Sequence, residues 1–176
     1  MQNIDNKKSF LAVNISILTI SDTRSLQDDK SGDYLYKSLK ESGHKCGGRE
    51  IVKDDVGLIL KILEKWIDDK NIDAIITTGG TGITGRDVTP EAIERIKDKY
   101  IPGFGEIFRN ISFQKIGSSS IQSRAIGCVA KGTFIFSLPG SPGACRDAWE
   151  NILKMQLDNR NKPCNLIELM PRLLEK

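Results

Sequence analysis

The stretch DAIITTGGTGITGRDVTPEAI, residues 73–93, governs the reading of the rest of the chain. Ile75, Ile76, Thr77 and Thr78 suit a buried strand. Gly79, Gly80 and Gly82 follow in a turn whose backbone N–H groups an anion can approach without obstruction by Cβ atoms. The helix comes late, because Thr89, Pro90 and Glu91 read as a cap, a fixed φ at the first helical position and a carboxylate suited to the helix dipole. Arg86 and Asp87 are left charged between turn and helix. Residues 80–85 formally match G-x-G-x-x-G, yet that fingerprint needs a helix opening on the glycines and an acidic residue roughly 20 positions on. Pro90 postpones the helix, and IPGFGE at 101–106 reads as a turn. No Gly-Lys-Ser/Thr follows to make a Walker A loop. The turn is then a phosphate cradle of another kind or a tight strand-to-helix connection, and Thr81, Arg86 and Asp87 beside it favour a ligand role.

Working outward, VNISILTI at 13–20 is a β-branched first strand that ends in Ser21, Asp22, Thr23 and Arg24. Polar residues beyond the carboxyl end of such a strand are candidate ligand contacts, with an Asx turn as the alternative for Asp22. Ser31 is expected to cap a helix that faces inward through Leu35 and Leu39 and stops at Gly43. A strand over 49–53 runs into Asp54 and Asp55, and Ile59, Leu63, Trp66 and Ile67 recur at helical spacing after it. Asp54 reads either as the N-cap of that helix or as a strand-end carboxylate able to face a divalent cation. Residues 103–116 read as a helix with Phe104, Ile107, Phe108 and Ile111 on its apolar face. Ser118–Ser120 read as loop and cap, while Ser123 beside Arg124 is a pairing suited to an anion or to plain surface. TFIFSL at 133–138 is a buried strand ending in a second glycine-bearing turn, Pro139-Gly140-Ser141-Pro142-Gly143. Ala144, Ala148, Trp149 and Ile152 then mark a helix reaching toward Leu157. If the two glycine turns leave neighbouring strands, they share one crevice. This alternation predicts an α/β protein: a single-domain three-layer α/β/α sandwich with a mostly parallel sheet.

A length of 176 residues suits one core, and 28% charged residues with a net charge of +3 is ordinary for a folded domain. The lysines are scattered among acids, so no nucleic-acid partner is expected. No apolar run reaches about 18 residues, so no membrane span is expected, and the polar start MQNIDNKKSFLAV has no signal-peptide pattern; a cytoplasmic protein is expected. Cys46, Cys128, Cys145 and Cys164 lie far apart and His44 is the single histidine, a set that predicts free, buried or half-buried thiols rather than zinc ligands.

Together these motifs resemble the molybdenum cofactor biosynthesis proteins of the MoaB/Mog type, whose domain also occurs in gephyrin-like proteins. The resemblance spans almost the whole chain through ILTISDTRS, IVKDD, ITTGGTGITGRDVTPEAI, PGFGEIFR, SIQSRA and SLPGSPGACRDAWENI. The last of these, with RNKPCN, is most similar to the MoaB branch. The polar start reads as a flexible tail over 1–10 and the Pro163- and Pro171-bearing end as an extension over 158–176 packing on the domain or on an oligomer partner, and the resemblance implies that 11–157 is the molybdopterin-binding domain. It also implies binding of molybdopterin and, in catalytic members, adenylylation of its terminal phosphate with ATP and Mg²⁺; a non-catalytic carrier of molybdopterin or a precursor is the alternative. By position, Asp54 and Asp87 match the catalytic, Mg²⁺-side aspartates, and Ser123 a serine of the molybdopterin pocket next to Arg124. Ser21, Asp22, Gly79, Gly80, Thr81, Gly82, Gly140 and Ser141 fall at turns around nucleotide and phosphates. A homotrimer or homohexamer is implied as well.

Overall fold

The computed structural model of the chain describes residues 3–175. Six strands, β1 (Asn14–Ile20), β2 (Lys45–Val52), β3 (Ala74–Thr78), β4 (Lys99–Tyr100), β5 (Ile126–Ala130) and β6 (Thr133–Leu138), form one sheet in the order β2-β1-β3-β6-β5-β4. The first four in that order are parallel, β5 runs antiparallel to β6, and β4 antiparallel to β5. The mostly parallel three-layer sandwich is therefore present, with an antiparallel edge that the sequence reading did not include. β5 and β6 are joined through Lys131 and Gly132, both at positive φ (47° and 89°), as a two-residue hairpin turn requires.

Strand residues alternate between two cores, as the period of two demands. Ile15, Ile17, Ala74, Ile76, Phe134 and Phe136 pack on one face with Leu35 and Leu39 of α1 (Lys30–Glu41), Phe104 and Phe108 of α4 (Pro102–Ile116) and Ala148 of α5 (Pro142–Ala148). Leu18, Ile20, Ile75 and Ile135 point the other way, toward Ile59, Leu63, Trp66 and Ile67 of α2 (Val56–Asp68) and Ala92 and Ile93 of α3 (Thr89–Glu94). After α5 the chain passes through a π-helical segment, Trp149–Leu153, into α6 (Lys154–Gln156). Residues near the start then pair with the chain beyond it: Asp5 N–H donates to Arg160 O at 2.8 Å and Lys162 N–H to Asn3 O at 2.9 Å.

Several local expectations are corrected. α1 is capped by Asp29, whose side chain accepts the Gly32 N–H, not by Ser31, whose hydroxyl instead donates to Gly140 O at 2.7 Å. The α2 cap is Asp55, not Asp54. Thr89 is the first residue of α3 rather than its cap, and its hydroxyl donates back to Gly79 O at 2.9 Å. Residues 102–106 begin α4 and are not a turn, and Ile107 lies on the outward face of that helix, 53% exposed. Gly117–Gln122 is a 3-10 helix. Cys164 is exposed, while Cys128 and Cys145 are buried and Cys46 half-buried; all four are free thiols.

Candidate functional site

The order β2-β1-β3-β6 places four carboxyl ends side by side, and the strand order reverses between β1 and β3, where ligands collect in open α/β sheets. Ser21 and Asp22 follow β1, Asp54 follows β2, the first glycine turn follows β3 and the Pro139–Gly143 turn follows β6. Because β3 and β6 are paired, their turns touch. Thr78 Oγ1 donates to Pro139 O at 3.0 Å, and a Cβ on Gly140 would lie 3.3 Å from Gly79 Cα. Gly79 has φ +108°, and a Cβ there would fall 2.0 Å from Ile20 O, so no other residue fits between β3 and β1. At Gly80 (φ +62°) a Cβ would stand 2.4 Å from Thr89 Oγ1 and 2.8 Å from Asp54 Oδ1. The glycine is what lets the Asp54 carboxylate lie against the turn.

Beyond Gly80 the loop is pinned from within. Asp87 Oδ2 accepts from Thr84 N at 2.9 Å and Thr84 Oγ1 at 2.6 Å, bonds that, led by the hydroxyl, hold the Asp87 carboxyl below its ordinary range. Arg124 clamps the same loop, donating to Gly82 O at 2.6 Å and Asp87 O at 2.8 Å and pairing with Glu91. Its guanidinium thus braces the cradle. Ser123 accepts from Ala125 N at 3.3 Å and lines a groove of about 200 Å³ together with Thr81, Gly82 and Ser141. Ser141 caps α5 by accepting the Ala144 N–H at 3.2 Å. Larger hollows, about 340 Å³ beside His44 and about 440 Å³ beside Phe104 and Leu166, lie away from these strand ends.

Three carboxylates meet here in different states. Asp22 is held low, first by Arg86, whose Nε and Nη2 donate to Asp22 Oδ2 at 3.1 and 2.6 Å. Asp22 Oδ1 accepts the Asp54 N–H at 3.3 Å. Asp54 is pushed up, chiefly by burial and then by the charges of Asp22 and Asp87, with only its own backbone N–H as a hydrogen-bonding counterweight. An anion so placed is stabilised by an added cation. Among the described residues no three His, Cys, Asp or Glu side chains gather tightly enough for an all-protein metal cage. What the site offers is the Asp54 carboxylate with Asp22 and Asp87 close by, oxygen donors of the type that a magnesium-like ion takes one or two of beside phosphate oxygens and water.

Sequence reasoning placed Ser21, Asp22, Asp54, Gly79, Gly80, Thr81, Gly82, Asp87, Ser123, Arg124, Gly140 and Ser141 around this crevice, and all of them lie on the turns or groove just described. It missed Ser31, which ties α1 to the second glycine turn. It also missed the support beneath: Asp29 is fully buried and accepts from Thr19 Oγ1 at 2.7 Å and Arg49 Nη2 at 3.0 Å. An aspartate three residues before Gly32, at the spacing of a helix N-cap, was the available signal.

The model of the probable molybdopterin binding domain matches residues 16–159. The chain belongs to that family. The molybdenum cofactor biosynthesis protein B of Escherichia coli K12 is 46% identical over 156 residues, covering 89% of this chain and 92% of that protein. That of Bacillus cereus is 48% identical over 146 residues, 82% and 86% of the two chains. Among solved structures, a molybdenum cofactor biosynthesis protein B superposes with a TM-score of 0.82 at 46% identity, covering 85% and 94%. A tungsten cofactor synthesizing MoaB protein from Pyrococcus furiosus gives 0.73 at 34% identity, covering 81% and 91%.

Proposed function

We propose that this protein acts in molybdenum cofactor biosynthesis by binding molybdopterin and transferring an adenylyl group from ATP to its terminal phosphate, releasing pyrophosphate. The observation that carries the reading is the half-buried Asp54 carboxylate, set against Gly80 and faced by Asp22 and Asp87 with little hydrogen bonding of its own. Such a residue is out of place in a rigid connector and useful beside a phosphate-bound cation. Mg²⁺ on Asp54 and Asp87 would supply charge neutralisation. The chain's own part is positional: the glycine turns present backbone N–H groups to phosphates, and the Ser123 groove receives the pterin end.

A phosphate monoester has a second pKa of about 6, so at neutral pH it is mostly ionised and attacks without a strong base. Its oxygen bonds to the α-phosphorus of ATP as the bond from that phosphorus to the bridging oxygen of pyrophosphate breaks. Alignment and charge stabilisation then carry the rate. A single histidine, far from the crevice, is compatible with this chemistry.

Purified protein with ATP, Mg²⁺ and molybdopterin is expected to release pyrophosphate. Asp54→Asn and Asp87→Asn are expected to lose release while retaining the pterin. A second reading, a non-catalytic carrier, draws on Asp87, whose carboxylate is already spent on Thr84; tight pterin binding by the unaltered protein without pyrophosphate would establish it and sink the transferase.

The trimeric or hexameric state belongs to the same proposal. Phe113 and Ile116, three positions apart on one face of α4, are more than half exposed, an apolar surface that a second copy would cover. Sedimentation equilibrium is expected to give a trimer or hexamer mass, and a monomer mass at micromolar concentration would remove this part of the reading.

A further inference from the structure

The crevice mouth is spanned by one ion pair that neither the fold nor the loop requires. Arg86 reaches from the first glycine loop to Asp22 at the end of β1, and its side chain is 68% exposed against 38% for Asp22. The loop's own closure lies elsewhere, in the Thr84–Asp87 and Arg124 bonds. Next to Arg86, Gly85 has no atom within 4 Å of the place a Cβ would take. The backbone next to Arg86 is therefore unobstructed on that side. Its partner Asp22 is the carboxylate bonded to the Asp54 backbone, and the charges of Asp22 and Asp87 both press on Asp54. Arg86 is the cation paired with Asp22 and its charge also acts on Asp54, while Arg124 acts on Asp87.

We propose that Arg86 is an exchangeable counter-ion: with the crevice empty it pairs with Asp22, and when a divalent cation with a phosphate chain enters, Arg86 leaves Asp22 to the cation side and turns to the phosphates. The inference deepens the transferase reading and rests on its placement of cation and phosphates at Asp54. The chemistry favours the exchange, since a guanidinium forks equally onto carboxylate and phosphate, and an exposed pair costs little to part. Arg86 thereby competes with a lone cation and assists a phosphate, so one substitution must move the two affinities in opposite directions. A merely structural arginine would move both the same way or neither.

The test uses the full chain without pterin. Mn²⁺ alone is titrated by its free-ion electron paramagnetic resonance signal, and inorganic tripolyphosphate by calorimetry, each at low ionic strength. Arg86→Gln is expected to bind Mn²⁺ about two- to fivefold more tightly, the range an exposed ion pair supplies, and tripolyphosphate severalfold more weakly. Asp22→Asn is expected to show the reverse pattern, weaker Mn²⁺ with tripolyphosphate binding held or improved. Both side chains are solvent-facing, so both variants are expected to melt with the parent, as circular dichroism checks. Equal Mn²⁺ isotherms for parent and Arg86→Gln, two flat ones included, or unchanged tripolyphosphate binding in Arg86→Gln, overturn the exchange. Neither titration reads turnover, so failure of pyrophosphate release alone strikes the transferase reading and leaves this one standing.

Discussion

At the end of β2, Asp55 accepts the Leu58 N–H at 2.9 Å and closes the first turn of α2, while its neighbour Asp54 contributes only its backbone N–H, to Asp22. Two adjacent carboxylates thus divide two tasks that one residue could not perform together, because a capping side chain folds back onto its own helix and cannot face the glycine turn. Asp55→Ala is expected to lower stability by about 1 kcal/mol, the usual worth of such a cap. Asp54→Ala is expected to cost nothing at neutral pH or to stabilise slightly, since it removes a partly buried charge pressed by Asp22 and Asp87. Urea denaturation of the two variants measures the contrast, and equal losses would contradict the division of roles.

Among the elements, the strands and helices with a clear apolar period were legible in the sequence: β1, β3, β6, α1, α2 and α4 stand within a few residues of where the pattern put them, while the helix expected from Ala144 toward Leu157 is divided into α5, the π-helical Trp149–Leu153 and α6. β6 runs over Thr133–Leu138 as expected. What escaped was weakly marked. β5 has the short run Ile126–Ala130 and turns through Lys-Gly, a less emphatic hairpin signal than Asn-Gly, and β4 is only two residues long. The caps escaped where neighbouring residues were equally able to cap: Asp29 caps α1 where Ser31 was expected, and Asp55 caps α2, which leaves Asp54 the other of its two readings, a strand-end carboxylate. Composition cannot separate these pairs, because the choice depends on which side chain has another partner. Ser31 has Gly140 O, and Asp54 faces the crevice. The site was legible as a set of turns, since glycines and polar strand ends announce themselves. Its internal bonding was not, because Arg124 on Gly82 O and Arg86 on Asp22 join residues 42 and 64 positions apart.

For the molecule as a whole, the single histidine is a group that links folding to pH in the mildly acidic range. His44 ties several segments together: it is 3% exposed, its Nδ1 accepts the Val13 N–H at 3.3 Å, and its ring packs on Phe10 and edge-on to Trp149. Burial depresses it to about 4, only partly opposed by Asp158. In the unfolded chain it titrates near 6.5. The unfolded state therefore binds more protons between those values, so stability rises with pH across that window and is full above about 6.5. The fall from pH 7 to pH 4 amounts to on the order of 3 kcal/mol from this group alone. Asp22, Asp87 and Asp158, all held low, remove stability only at lower pH, below their unfolded values. Asp54, pushed up, acts with the opposite sign, because its repulsion is relieved on protonation. Thermal melts at successive pH values are expected to show the loss beginning near 6.5. In His44→Asn, whose side-chain oxygen can still accept from Val13 N–H without titrating, that slope is expected to flatten between pH 6.5 and 4. An unchanged slope in this variant would assign the acid sensitivity to the carboxylates instead.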